Sequence, residues 1–391
     1  MSHDATWMKK PETRLTHRFG KGAGSGARLL FMLVTWALAL HPVQLIAQDS
    51  NPTKYEHRGA WIATVISLDW PVSPTSSPDQ QRDDLIAKLN GLKESGINTV
   101  YFQIRTEGDA LYHSEIEPWS KYLTGKEGQA PDPFWDPLEF AIDEAHKRGM
   151  ELHAWLNPYR AMRSVPSDFT QKARPKAPAR AGDEDAWRDP VDEPAMSSVL
   201  PFINREYDRS FEYRMKGMAT SERDSMHVAN KHPEWLMVLN DAIAIFDPGL
   251  PEVMAYTRDI VLDVVNRYDV DGIHFDDYFY PYPPNHMGSS SANERLDDAT
   301  FAAYPRGFTN KGDWRRNNVD LLVEMIHDSI QVAKPWVDFS ISPFGIWKSG
   351  VPSGINGLNA YSTIYGDGIA WLDAQTIDYI VPQLYWRFGG G

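Results

Sequence analysis

The densest run of side chains capable of chemistry is Asp-Gly-Ile-His-Phe-Asp-Asp-Tyr-Phe-Tyr-Pro, residues 271–281. Two adjacent carboxylates, Asp276 and Asp277, close an apolar strand, and His274 stands two residues earlier. Carboxylates are seldom fully buried unless paired, so this placement is a poor structural choice and a useful chemical one. Residues two apart share one face of a strand, which puts His274 and Asp276 together. Asp277 then faces away unless the following loop turns it. Glycosidic cleavage needs one carboxylate to stabilise or trap an oxocarbenium-like centre and a second, protonated group to help the leaving oxygen depart. Asp276 fits the first role. Asp277 is either the partner or a structural group that caps the next loop or pairs with an arginine. A hard cation held by both aspartates and His274 is a further alternative. No additional ligand spacing supports it, so no metal or cofactor is expected.

Other polar and aromatic side chains gather at predicted strand ends. Asp69 and Trp70 end the first strand. Arg105 ends the second and is followed by Glu107 and Asp109. His153, Trp155 and Asn157 alternate along the third, with Tyr159 and Arg160 just beyond it. Tyr278 follows the fourth, Trp347 lies beyond the fifth, and Gln383, Tyr385 and Trp386 end the sixth. The expected substrate contacts are Asp69, Trp70, Arg105, His153, Trp155, Asn157, Tyr159, His274, Tyr278, Gln383, Tyr385 and Trp386. Asp69, Glu107 and Asp109 compete as a second carboxylate. Aromatic residues are plentiful, with 14 Trp and 17 Tyr. Core packing accounts for many, yet flat rings at strand ends also suit the apolar faces of sugars.

These residues need a scaffold, and the hydrophobic periodicity supplies one. Strands are expected at residues 58–65, 97–105, 150–157, 270–276, 337–342 and 377–384. Helices are expected at 80–95, 136–148, 314–334 and 368–374, and one from Asp247, its N-cap, to about 268. Repeated β-α units imply a parallel sheet with right-handed crossovers. In an open parallel sheet the strands read as near-continuous apolar runs. Here one parity is polar (Gln103, Arg105; His153, Trp155, Asn157; His274, Asp276; Ser340, Ser342; Gln383, Tyr385) and the other is apolar. Polar groups on one side of five strands describe a barrel whose mouth is a binding site. The expected fold is therefore an α/β (β/α)8 TIM barrel. Six strands precede Gly389-Gly390-Gly391, two fewer than an eight-stranded barrel needs, so the chain reads as truncated after the sixth strand. Residues 163–231 lack clear periodicity and read as an insertion, with 171–194 expected to be mobile and surface exposed.

The remaining composition sets limits. The chain has 391 residues, 42% hydrophobic and 24% charged, and a formal net charge of -14. That argues against nucleic acid or an anionic membrane as partner. No protein partner is expected. There is no cysteine, which excludes disulfides, thiolate metal sites and thiol nucleophiles. Basic residues from Lys9 to Arg28 precede an apolar run at 29–40, and Leu45-Ile46-Ala47 offers a cleavage site before Gln48. Residues 1–47 thus read as a signal peptide, with the barrel at 48–391, an exported protein of the periplasm or envelope and no stable membrane span after cleavage. An uncleaved anchor is the alternative.

Several ordered motifs carry a resemblance to a known family. They are Arg58-Gly-Ala-Trp-Ile-Ala-Thr-Val65 with Leu68-Asp-Trp-Pro71, His153-Ala-Trp-Leu-Asn-Pro-Tyr-Arg160, His232-Pro-Glu-Trp-Leu236, Asp247-Pro-Gly-Leu-Pro-Glu-Val253, Val270 to Pro281, and Pro382-Gln-Leu-Tyr-Trp386. Together they resemble the bacterial glycosyl hydrolase-like 10 family from about residue 55 to 391, apart from the insertion. The resemblance implies a (β/α)8 barrel in the cell envelope acting on bacterial glycans, such as peptidoglycan strands stripped of their stem peptides. Residues 271–276 are also similar to the fourth-strand motif of α-amylase-like enzymes, where the last aspartate is the nucleophile. The strand-five glutamate that serves those enzymes as acid is absent, because Ser340-Ile-Ser-Pro343 stands in its place. The acid therefore stays unassigned. A glycan-binding protein that kept the barrel and lost its catalysis is the alternative to a hydrolase.

Overall fold

The computed structural model describes residues 56–165, 224–240 and 242–385. The expected signal segment, the stretch 171–194 and Trp386 lie outside the described residues. In chain order the principal elements begin with β1 (Gly59–Ile62), α1 (Pro78–Glu94), β2 (Thr99–Arg105), α2 (Pro137–Lys147) and β3 (Glu151–Leu156). Three short strands follow, β4 (Arg160–Met162), β5 (Leu236–Leu239) and β6 (Ile243–Phe246). The chain then returns to the main pattern with α3 (Pro251–Arg267), β7 (Gly272–Phe275), α4 (Lys311–Ala333), β8 (Asp338–Ile341), α5 (Gly368–Ala374) and β9 (Tyr379–Ile380).

The main sheet is parallel with order β1-β2-β3-β7-β8-β9. It is strongly curled. Strands pair about 4.8 Å apart, so in a flat sheet β2 and β9 would stand roughly 19 Å apart. Instead the hydroxyls of Tyr101 on β2 and Tyr379 on β9 meet at 3.0 Å. The ring of His57, just before β1, lies 5.0 Å from that of Tyr379.

Side-chain alternation explains the two faces. Leu152, Ala154, Leu156, Ile273, Phe275, Phe339 and Ile341 are all buried on the convex side, where the helices pack. The concave side is layered and polar. His153 lies in register with Gly272, and Trp155 with His274. Asn157 and Asp276 follow two residues further along. Gly272 is required because a Cβ there would stand 2.2 Å from Nδ1 of His153.

Local sequence sets the helix starts. Ser77 and Gln80 form a reciprocal capping box on α1, and Asp136 accepts from two backbone N–H groups of α2 with Pro137 behind it. The helix α3 departs from expectation. Its N-cap is Leu250, while Asp247 holds the preceding turn by accepting from the Gly249 N–H at 3.0 Å and from the Thr300 hydroxyl.

A second sheet, antiparallel in the order β4-β6-β5, stands beyond the C-terminal end of β3. Sequence periodicity gave no sign of it. The sixth strand is also shorter than its apolar pattern suggested, and past Ile380 the pairing shrinks to one bridge between Phe344 and Gln383.

Candidate active site

The carboxylate of Asp276 is held by three donors on neighbouring segments. The Asn157 amide lies 3.1 Å from both of its oxygens, the Trp155 indole donates at 3.3 Å, and the Tyr278 backbone N–H at 3.3 Å. Each follows from chain geometry. Trp155 and Asn157 alternate on the concave side of β3, and Tyr278 closes a tight turn after β7. Burial raises the Asp276 carboxyl above its usual range, while the Arg160 charge and these hydrogen bonds oppose the rise.

Asp277 is 3% exposed. The turn brings it near the Gln383 side chain, whose amide donates to the Ser342 carbonyl at 2.7 Å, rather than to the helix-packed face that strict alternation would give. Burial and then the adjacent Asp276 charge push it up to about 8. The two members are unequal: Asp276 sits among donors that favour its charge, and Asp277, with the Asp276 charge beside it, holds its proton more tightly.

Asp276 lines a cleft of about 410 Å³ between the main sheet and the small one. Trp155, Gln103, Arg160, Tyr278 and Tyr282 line it, together with Ile243 to Ile245 of β6 and the Pro283–Asn285 loop. Arg160 stacks 4.1 Å above the Tyr278 ring, and the Tyr278 and Tyr282 hydroxyls are hydrogen-bonded.

One layer deeper, His274 approaches Ser340 at 2.8 Å through Nδ1, while its Nε2 accepts from the Trp61 indole at 3.2 Å and lies 3.2 Å from the Ser342 hydroxyl. Burial, with His153 and His57 nearby, holds His274 well below its normal range, so it stays neutral and orients its neighbours. His153 lies deeper still, joined to the Tyr379 hydroxyl at 2.9 Å. No group of three or more His, Asp or Glu converges as a metal site among the described residues.

Several expected contacts stand elsewhere. Arg105 is 1% exposed and locked to Glu117 at 2.7 Å, with its remaining donors on the Asn157 and Pro158 carbonyls. A register shift in β2 between Gln103 and Arg105 breaks the alternation that had placed it at the mouth. Trp70 is in the core, because the chain folds back after β1 and its indole donates to the Gln81 carbonyl under α1. Tyr159 is also fully buried.

Asp69 is exposed at the surface and accepts from the Ala63 N–H at 2.8 Å. Glu107 and Asp109 are buried in their own loop. Glu107 accepts from Tyr122 and from the Arg163 N–H, and Asp109 from the Thr106 and Glu107 N–H groups. None of the three lines the Asp276 cleft. Gln383 reaches the pair, whereas Tyr385 is 89% exposed. Trp347 donates to Asp367 at 2.8 Å.

Sequence reasoning passed over Trp61. It is 38% exposed, stacks on Tyr101 at 4.3 Å and contacts His274. Its signal was its place in β1, two residues from Gly59, on the same parity as Tyr101 in the paired strand.

The residue pattern of the family described as glycosyl hydrolase-like 10 matches residues 56–197 and 207–390. The chain is 36% identical over 368 residues to the glycosyl hydrolase DigH of Escherichia coli strain K12, covering 91% of this chain and 70% of that protein. To the glycosyl hydrolase YngK of Bacillus subtilis strain 168 it is 34% identical over 340 residues, covering 85% of this chain and 55% of that one. Among solved structures, the PgaB (BpsB) glycoside hydrolase domain of Bordetella bronchiseptica aligns at a TM-score of 0.41 and 12% identity, over 83% of this chain and 73% of that one. An α-L-fucosidase isoenzyme of Paenibacillus thiaminolyticus aligns at 0.41 and 14% identity, over 76% and 34%. With a family match spanning both the sheet and the Asp276 cleft, and relatives alike over most of its length, the chain belongs to the glycosyl hydrolase-like 10 family.

Proposed function

We propose that this chain is a glycoside hydrolase acting on an amino-sugar polymer of the bacterial envelope, such as peptidoglycan strands free of stem peptides. The observation that carries the reading is the inequality of Asp276 and Asp277: Asp276 lines the cleft and is surrounded by donors, and Asp277, buried beside it, is pushed up to about 8. Family membership and the named hydrolases among the relatives agree with it. We read the curled sheet as part of a (β/α)8 barrel, whose chemistry sits at the C-terminal strand ends.

In this reading the glycan lies in the cleft with one sugar ring over Asp276. The Asp277 carboxyl gives its proton to the departing glycosidic oxygen. As that bond breaks, positive charge builds on the ring, and the Asp276 carboxylate stabilises it electrostatically or covalently. Trp155, Asn157 and the Tyr278 N–H fix Asp276 in place before the reaction, so little reorganisation is needed as charge develops. Water then completes the hydrolysis. The aromatic rings of Trp155, Tyr278 and Tyr282 offer apolar surface to the sugars.

The protein is proposed to act outside the cytoplasm, on the strength of the basic-then-apolar pattern at residues 9–40. No helix among the described residues is long and apolar enough to cross a membrane. The test is release of new reducing ends from purified peptide-free glycan strands, measured beside binding to the same strands. Cleavage supports the hydrolase. Binding without cleavage replaces it with a glycan-binding protein.

A further inference from the structure

The charges lining the cleft run against those of the whole chain. The formal net charge is -14, yet the charged residues lining the cleft are Arg160, Arg163 and Asp276. Asp277 stands beside them but holds its proton. The cleft is therefore a cationic spot in an acidic protein. Such focusing favours an anionic ligand.

Arg160 is the more informative of the two arginines. It is 9% exposed and lines the cleft. Its guanidinium stacks on Tyr278 and forms no ion pair among the described residues. The other buried arginines among the described residues are saturated. Arg105 is bound to Glu117, and Arg315 to Asp297 and Glu294. A buried charge is costly unless paired and hydrogen-bonded. The Asp276 charge acts on Arg160 through space, but that carboxylate directs its oxygens to Asn157, Trp155 and Tyr278. Arg160 lines the cleft with its flat guanidinium held against the Tyr278 ring. A guanidinium held this way matches a carboxylate in bidentate fashion.

We propose that Arg160, with Arg163 at the rim, recognises a carboxylate carried by a sugar of the glycan. This rests on the glycan-hydrolase reading above. A muramic acid ring freed of its stem peptide bears a free lactyl carboxylate. A ring still joined to its peptide has an amide at that position, with no charge to offer and a chain to accommodate. Arg160 therefore sets a preference for peptide-free strands through charge as well as through size.

The experiment compares peptide-free strands with the same strands after their carboxyls are converted to primary amides, which keeps length and linkage. Binding of each to the intact protein is measured by calorimetry at two salt concentrations. The wild type should bind the acidic strands at least tenfold more tightly, with the gap narrowing in high salt. Arg160→Gln should bring the ratio towards one, and Arg160→Lys should keep part of it. Equal binding of the two glycans by the wild type overturns the proposal without recourse to any variant. An undiminished ratio in folded Arg160→Gln overturns it as well, because Arg160 would then serve only to offset Asp276. Release of reducing ends is followed in parallel. If neither glycan is cleaved, the hydrolase reading fails, while the binding ratio still decides whether Arg160 reads a carboxylate.

Discussion

Asn157 and Asp276 face each other across the seam between β3 and β7, with the amide nitrogen 3.1 Å from each carboxylate oxygen. The Asn157 carbonyl oxygen in turn accepts from the Arg160 N–H at 2.8 Å. One side chain thereby fixes both the Asp276 carboxylate and the turn that carries the cleft arginine.

Replacing Asn157 with Asp preserves the acceptor for Arg160 and sets a like charge against Asp276. Two carboxylates at that spacing do not both ionise readily. The acidic limb of the pH–rate profile should move upward by about one unit or more, and turnover near pH 6 should fall about tenfold. An unmoved limb would mean that Asp276 is not the ionised group.

Asp277 links stability to pH. Its carboxyl lies at about 8 in the folded chain against an ordinary 3.8. The folded state thus binds more protons than the unfolded one across that window, and stability falls as pH rises through it. Asp277→Asn removes this dependence. Its Tm should gain on the wild type between about pH 4 and 8 and then level off. Its turnover should collapse on natural glycans but recover largely on a glycan with an activated phenolate leaving group, which needs no acid. Equal losses on both substrates would remove Asp277 as the proton donor.

The Arg105–Glu117 pair supports the site from below. Both side chains are buried, and the Tyr256 hydroxyl donates to Glu117 at 2.6 Å. Glu117→Ala leaves a buried guanidinium without its partner and should cost about 3–5 kcal/mol in denaturant unfolding. The folded fraction should turn over glycan normally. A small change in stability together with a large loss of turnover would return Arg105 to the cleft.

Much of the scaffold was legible because the main strands obey a period of two. That period places His274 with Asp276, and Trp155 with Asn157, from the sequence alone. It failed for Arg105, where the β2 irregularity moves one residue out of phase. It failed for Trp70, where a fold-back after β1 turns an apparent mouth residue into core. The β5–β6 hairpin was hidden for another reason. Its four-residue strands are almost wholly buried and show no alternation. Its walls, from Ile243 to Ile245, are therefore the part of the cleft that periodicity did not find.

Asp276 carries the account. Asp276→Asn keeps the size of the side chain and most of its hydrogen bonding, and removes the charge that the developing oxocarbenium requires. The deciding measurement is the rate at which the intact wild-type and Asp276→Asn proteins release reducing ends from peptide-free glycan strands. A hundredfold or greater loss, about 3 kcal/mol of transition-state stabilisation, with Tm and glycan binding largely kept, is the result expected. Near-normal release by the variant would contradict it.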